Sequence, residues 1–250
     1  MSCSIPHRHL WSPERLSTAD LQALLDAASE VKRAKQRDPS WAPLRGRRLA
    51  VLAHQGDDGA FAFERAVREL GGTVTLLDTR DWQSSAGARV ADAARMLGRL
   101  YDAVDCCGLP APLLEEIDAH CGVPVFNGVA RTEHPLSDIG ALLTMREVGV
   151  KSLSGLHVQL DGDAQAPRQR AMAVLARLAG VDVQPPVALA LGAAAAAPGD
   201  EPDFIFDPLA APAGRLVVSE GTPAEQARIA ALLATNGQCT LQALLVCSLH

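Results

Sequence analysis

Across residues 49–126 short apolar runs alternate with amphipathic stretches, and few folds accommodate that order. Leu49-Ala-Val-Leu-Ala53 reads as a buried strand, followed by a glycine-rich turn and a helical pattern from Phe61 to Leu70. Thr73-Val-Thr-Leu-Leu77, a helix from Val90 to Leu100, Ala103-Val-Asp-Cys-Cys107 and a helix from Leu113 to Ala119 continue the series. Runs that stay apolar, rather than alternating with polar residues, suit strands covered on both faces. Strand and helix in turn predict an α/β domain, its parallel sheet lying between two helical layers. Ligands of such sheets bind beyond the carboxyl ends of the strands.

Ahead of this series, Ser17 with Asp20 three residues later is a helix-capping pattern, and Leu21, Leu24, Leu25, Ala28 and Val31 share one face of the helix that follows. After Lys151 a second unit begins. It holds Gly155-Leu-His-Val-Gln-Leu160, the turn Asp161-Gly-Asp163 and a helix from Arg168 to Leu178. Val181 to Leu191 is apolar and in part strand, Gly192 to Gly199 is an alanine-rich linker, and Asp203-Phe-Ile-Phe206 and Arg215-Leu-Val-Val218 are short strands. A helical stretch from Pro223 to Leu249 closes the chain, with Asn236-Gly237 as the place where it would break.

The 250 residues, 48% hydrophobic and 21% charged, are enough for one large domain or two small ones. A net charge of -6 gives no basic face for nucleic acid or an anionic membrane. No run of about 18 apolar residues free of charge or proline and no signal peptide is read, so a cytoplasmic protein is expected. The six cysteines form no C-x-x-C pair and no zinc-spaced cluster with histidine, which makes them buried thiols and leaves no metal or cofactor implied.

Between the two halves lies Val123-Pro-Val-Phe-Asn-Gly-Val-Ala-Arg-Thr-Glu-His-Pro-Leu-Ser-Asp-Ile-Gly. It reads as a short strand, a turn at Asn127-Gly128, a loop ending in His134-Pro135 and a helix bearing Leu136, Ile139, Leu142, Leu143 and Met145. A histidine just ahead of a helix is placed to face a ligand, or to hydrogen-bond within its own loop. Ser137 and Asp138 fit a helix cap and a first-turn charge.

This segment resembles the aspartate/ornithine carbamoyltransferase family, whose ornithine branch has V-P-V-[WF]-N-G-L, then H-P-x-Q and a D-L-L-T helix. Asp92-Ala-Ala-Arg-Met-Leu-Gly-Arg-Leu-Tyr-Asp102 is similar to the family's D-T-A-R-V-L-G-R-M-Y-D helix. The resemblance implies two three-layer parallel-sheet domains. A carbamoyl-phosphate-binding-like domain would span residues 1–148. A shortened amino-acid-binding-like domain would span 149–250, its terminal helix returning to the first. It also implies a homo-oligomer, a trimer with its sites at the interface of first domains. The family's interface loop falls near Ser84 to Arg89, where Arg89 is the basic residue.

The family's ligand positions can be placed residue by residue. Its phosphate loop, S-T-R-T-R, falls on Gly56-Asp57-Asp58-Gly59-Ala60, the arginine of Y-R-G on Cys107, the glutamine of H-P-x-Q on Ser137, and the arginine of N-R-M-H-T on Gly237. His134 is retained. The G-D-x-x-N-N segment corresponds to Gly162 to Pro167 without an asparagine. A phosphate dianion is normally held by a helix N-terminus and bidentate arginines. Like charges 4 Å apart repel by roughly 4 kcal/mol at an effective dielectric of 20, so carboxylates at 57 and 58 should reject phosphate. The resemblance, with these losses, implies a non-catalytic or altered ligand-binding or regulatory relative, free or associated with an active carbamoyltransferase. A working carbamoyltransferase using His134 is the alternative, and a new reaction or cation site at Asp57 and Asp58 a third.

Overall fold

The computed structural model describes residues 13–83, 88–149, 151–184, 202–208, 210, 214–219 and 221–249. The alanine-rich segment, Cys3 and residues 84–87 of the expected interface loop lie outside them. Contacts divide the chain into two units. Among the described residues one is built on Glu30–Arg131 with the stretch from Leu241 onward, the other on residues 13–29 with Thr132–Thr240. That division differs from a single cut at residue 148, because helix α6 (Pro135–Val148) packs against α7 (Pro167–Leu178).

In the first unit, β1 (Arg48–Ala53), β2 (Thr73–Asp78), β3 (Ala103–Cys106) and β4 (Val125–Phe126) form a parallel sheet in the order β2-β1-β3-β4. Helices α2 (Asp58–Glu69), α3 (Arg80–Gln83), α4 (Ala88–Leu100) and α5 (Ala111–Cys121) connect the strands. On one sheet face Ala50, Leu52, Val104 and Val125 pack with Val90, Ala94 and Leu97 of α4 and Leu114 and Ile117 of α5, all buried. Cys106, Cys107, Cys121, Cys239 and Cys247 are buried and in no disulfide, as the apolar runs beside them predict. Lys35, Glu69 and Gln242 form a polar triangle on this unit, Lys35 Nζ lying 2.7 Å from Glu69 and 3.1 Å from Gln242.

In the second unit the order is β6-β5-β7-β8, from Asp182–Gln184, His157–Leu160, Phe204–Asp207 and Arg215–Val218. Three strands are parallel, but β8 runs antiparallel to β7. The few residues between Asp207 and Arg215 leave no room for a helical crossover, so the chain returns as a hairpin. The start of α1 (Thr18–Arg37) belongs here, and its capping box is complete: the Ser17 amide donates to Asp20 Oδ2 at 2.9 Å and the Asp20 amide donates back to Ser17 Oγ at 3.1 Å.

Helix α8 (Pro223–Leu249) is continuous, contrary to the expected break at Asn236-Gly237. The Asn236 side chain, fully buried, donates to Thr144 Oγ1 at 3.1 Å and to Glu147 at 3.0 Å, which holds the backbone helical through that point. One residue on, α8 crosses α6 at backbone distance: a Cβ on Gly140 would stand 2.7 Å from Gly237 Cα. Gly140→Ala should therefore cost about 1–3 kcal/mol by overpacking, read as a lowered urea midpoint at unchanged m-value. An unchanged midpoint would refute the crossing. By length and composition α8 is also long and apolar enough to span a membrane, which the sequence reading had not expected. Yet 61% of its most apolar window is buried inside the protein, and Thr240 and Gln242 are buried and hydrogen-bonded. Those are the traits of a core helix.

Candidate functional site

The predicted phosphate-loop positions lie in the first unit, at the carboxyl end of β1. Gly56 turns the chain with φ +86°, and Asp57 caps α2 by accepting from the Ala60 amide at 3.0 Å. A carboxylate at a helix N-terminus is favourable without any ligand. The turn is not a freely solvated acidic one, however. Asp57 Oδ2 is paired at 3.2 Å with Nη1 of Arg131, and its side chain is only 15% exposed.

Arg131 reaches that carboxylate by running over three glycines. A Cβ on Gly59 would stand 2.6 Å from Arg131 Cγ, one on Gly128 2.8 Å from Cδ, and one on Gly108 3.4 Å from Nη1. Gly59 lies in the first turn of α2 after β1, and Gly128 and Gly108 come from the loops that follow β4 and β3, so their backbones make a shallow cradle at the carboxyl edge of the sheet, and the arginine fills it. With Arg131 about one-third exposed the pair stabilises by about 1 kcal/mol or less. Its effect is occupancy.

The loop carrying Arg131 is fixed from below by Asp105. This carboxylate, wholly buried on β3, accepts from the amides of Gly128 at 2.7 Å and Val129 at 3.3 Å, and Cys107 Sγ donates to it at 3.5 Å. Burial pushes the Asp105 carboxyl up to about 6, against the lowering effect of those donors, with Asp57 adding to the rise. Cys107 is thus a partner of Asp105, and burial drives its thiol far up, away from reactive thiolate.

His134, Ser137 and Gly237 lie in the second unit. His134 is 5% exposed and its Nδ1 accepts from the Leu136 amide at 3.1 Å, making it the N-cap of α6 in place of Ser137. Ser137 Oγ instead donates to the carbonyls of Thr132 and His134 and accepts from Arg168 Nη2 at 2.9 Å. Asp138 is no surface first-turn charge. It is completely buried, receives Nε and Nη2 of Arg168 at 3.2 and 3.0 Å, and has Oδ2 buried without a partner. Burial, outweighing Arg168, pushes its carboxyl up to about 7. At Gly237 a Cβ would meet nothing within 4 Å, so packing does not require a glycine there.

Arg131, Asp105 and Arg168 were not singled out from sequence, though two of them left a trace. Asp105 is a carboxylate inside an otherwise apolar strand, which must find donors. Arg131 is the basic residue of the loop between Asn127 and Pro135. Among the described residues no group of three metal-ligating side chains gathers, at Asp57 and Asp58 or elsewhere.

Residues 8–147 match the family model described as the carbamoyl-P binding domain of aspartate/ornithine carbamoyltransferase. The chain is 34% identical over 185 residues to the catabolic ornithine carbamoyltransferase of Pseudomonas putida, and 30% to an ornithine carbamoyltransferase of Haemophilus influenzae. Each alignment takes in 74% of this chain and 55% of the relative, so the chain spans about half the length of these curated proteins. Among solved structures, ornithine carbamoyltransferase from Thermus thermophilus matches with TM-score 0.56 and 29% identity over 71% of this chain and 61% of that one. Aspartate transcarbamoylase from Trypanosoma cruzi, in complex with carbamoyl phosphate, matches in fold with TM-score 0.66 and 18% identity over 100% of this chain and 96% of that one.

Proposed function

Since the chain belongs to the aspartate/ornithine carbamoyltransferase family, we propose that it is a member that no longer transfers carbamoyl groups and serves as a non-catalytic binding or regulatory protein. One observation carries this reading: the glycine cradle at the carboxyl edge of the first sheet is filled by Arg131, whose guanidinium is neutralised by Asp57. Phosphate entering there would have to displace an arginine from its carboxylate and then accept Asp57 and Asp58 as neighbours. The positions equivalent to the family's phosphate arginines, Asp58, Ala60, Cys107 and Gly237 among them, offer no cation in compensation. Carbamoyl transfer depends on positioning and on stabilising developing negative charge, so a site without its charge clamp has little catalytic power left.

His134 caps its helix through Nδ1 and Ser137 Oγ is bound to the Thr132 and His134 carbonyls, which supports the same reading on the carbamoyl side. A cytoplasmic homo-oligomer, a trimer in the manner the family resemblance implies, is part of the proposal, as is association with an active carbamoyltransferase.

Calorimetric titration with carbamoyl phosphate, then ornithine, tests it. No heat is expected at millimolar ligand, and no citrulline should form. Saturable binding in the micromolar range, worth roughly 8 kcal/mol, would overturn the reading.

A further inference from the structure

We propose that the first unit binds a small organic anion, a phosphate or carboxylate head on an apolar body, in a pocket at the amino ends of its strands. The pocket is independent of the cradle at the carboxyl ends. It measures about 460 Å³, within the range of small-molecule sites. Arg48 opens β1, Asp102 precedes β3 and Val123-Pro124 precede β4, which sets the cavity at this edge, with the last turn of α4 and the end of α8 as its walls.

Three arginines face it. Arg47 is held in place, Nη1 on Asp102 at 2.8 Å and Nη2 on the Leu249 carbonyl at 3.0 Å. The Arg99 side chain makes no hydrogen bond or ion pair among the described residues, and Arg48 acts on Asp102 only through space. Three arginines against one carboxylate leave the rim positive in a chain whose net charge is -6. That local sign selects anions.

The wall adds a second pointer. The Tyr101 ring, Leu100, Val123 and Leu249 supply apolar surface there. Guanidiniums at the mouth beside the Tyr101, Leu100, Val123 and Leu249 side chains fit a ligand with a charged head and a small hydrocarbon body, and exceed what an inorganic ion would use.

The test is calorimetry of the full chain with phenyl phosphate, benzoate and inorganic phosphate as probes. Phenyl phosphate or benzoate should bind saturably, and the tighter of the two identifies the head group. Because Arg48 and Arg99 are exposed, the double variant Arg48→Ala/Arg99→Ala should keep the parent's circular dichroism and thermal midpoint while losing at least tenfold in affinity. The proposal fails if neither organic probe saturates, if the double variant binds as the parent does, or if inorganic phosphate binds as tightly as phenyl phosphate, which would mean surface arginines alone.

Discussion

Gly98→Ala should lower the thermal midpoint by about 6–12 °C, the equivalent of roughly 3 kcal/mol in a chain of this size. A Cβ at that position would lie 1.7 Å from the carbonyl oxygen of Cys121 and 2.8 Å from its carbonyl carbon. Both are backbone atoms of α5, so no flexible side chain can swing aside. The α4 and α5 helices would have to part by more than an ångström, opening the core layer in which Leu97 meets Ile117 and Cys121. Alanine's better helix propensity returns only about 1 kcal/mol. Scanning calorimetry of the variant decides it, and a midpoint within 2 °C of the parent would mean that the two helices do not approach this closely. The contact also gives a physical reason for the glycine in Asp92 to Asp102, the segment most similar to the family: at Gly98 the helix needs an absence of side chain.

The second large effect is on pH dependence. Asp105 is pushed up to about 6 in the fold by burial, against about 3.9 in the unfolded chain. Between those values the folded state holds a proton that the unfolded state has lost. The stabilisation is therefore complete below about pH 4 and disappears as pH rises through 6. Asp105→Asn keeps an acceptor for the Gly128 and Val129 amides and removes the titration. The stability difference between parent and variant should tilt towards the parent by roughly 1.4 kcal/mol per pH unit on acidification from 6 to 4. Denaturant melts at half-unit pH steps measure it, and parallel curves would show that Asp105 is ionised in the fold. Asp138, pushed up to about 7 by burial, adds a slope of the same sign that both proteins share. The lowered carboxyls of Glu69 and Asp102 act in the opposite sense, and only at more acid pH.

The alternation from Leu49 to Phe126 and the Ser17/Asp20 pattern made the first sheet and α1 readable from sequence, because both are set by near neighbours and by burial on two faces. The antiparallel β8 was not readable. Its direction depends on how few residues join it to β7, and apolar content carries no such information. Asn236-Gly237 misled for a related reason: turn propensity is a local tendency, while the bonds from Asn236 to Thr144 and Glu147 come from residues about ninety positions away. At the site, sequence located the turn at Gly56 to Ala60. It did not reveal that Arg131 pairs with it, since the Asp57–Arg131 contact joins positions 74 apart.

That contact has a consequence in terms of effective concentration. Arg131 is presented to Asp57 by a loop that Asp105 pins through two amides, so the guanidinium is held at its partner by covalent tether. Even short flexible tethers give local concentrations of about a millimolar, and this one is stiffer. A free cation would have to outnumber it on that scale to reach Asp57, and an anion meets a charge already balanced. On this arrangement the Asp57–Arg131 pair acts as a joint between two loops, one that solutes at ordinary cellular levels should leave undisturbed.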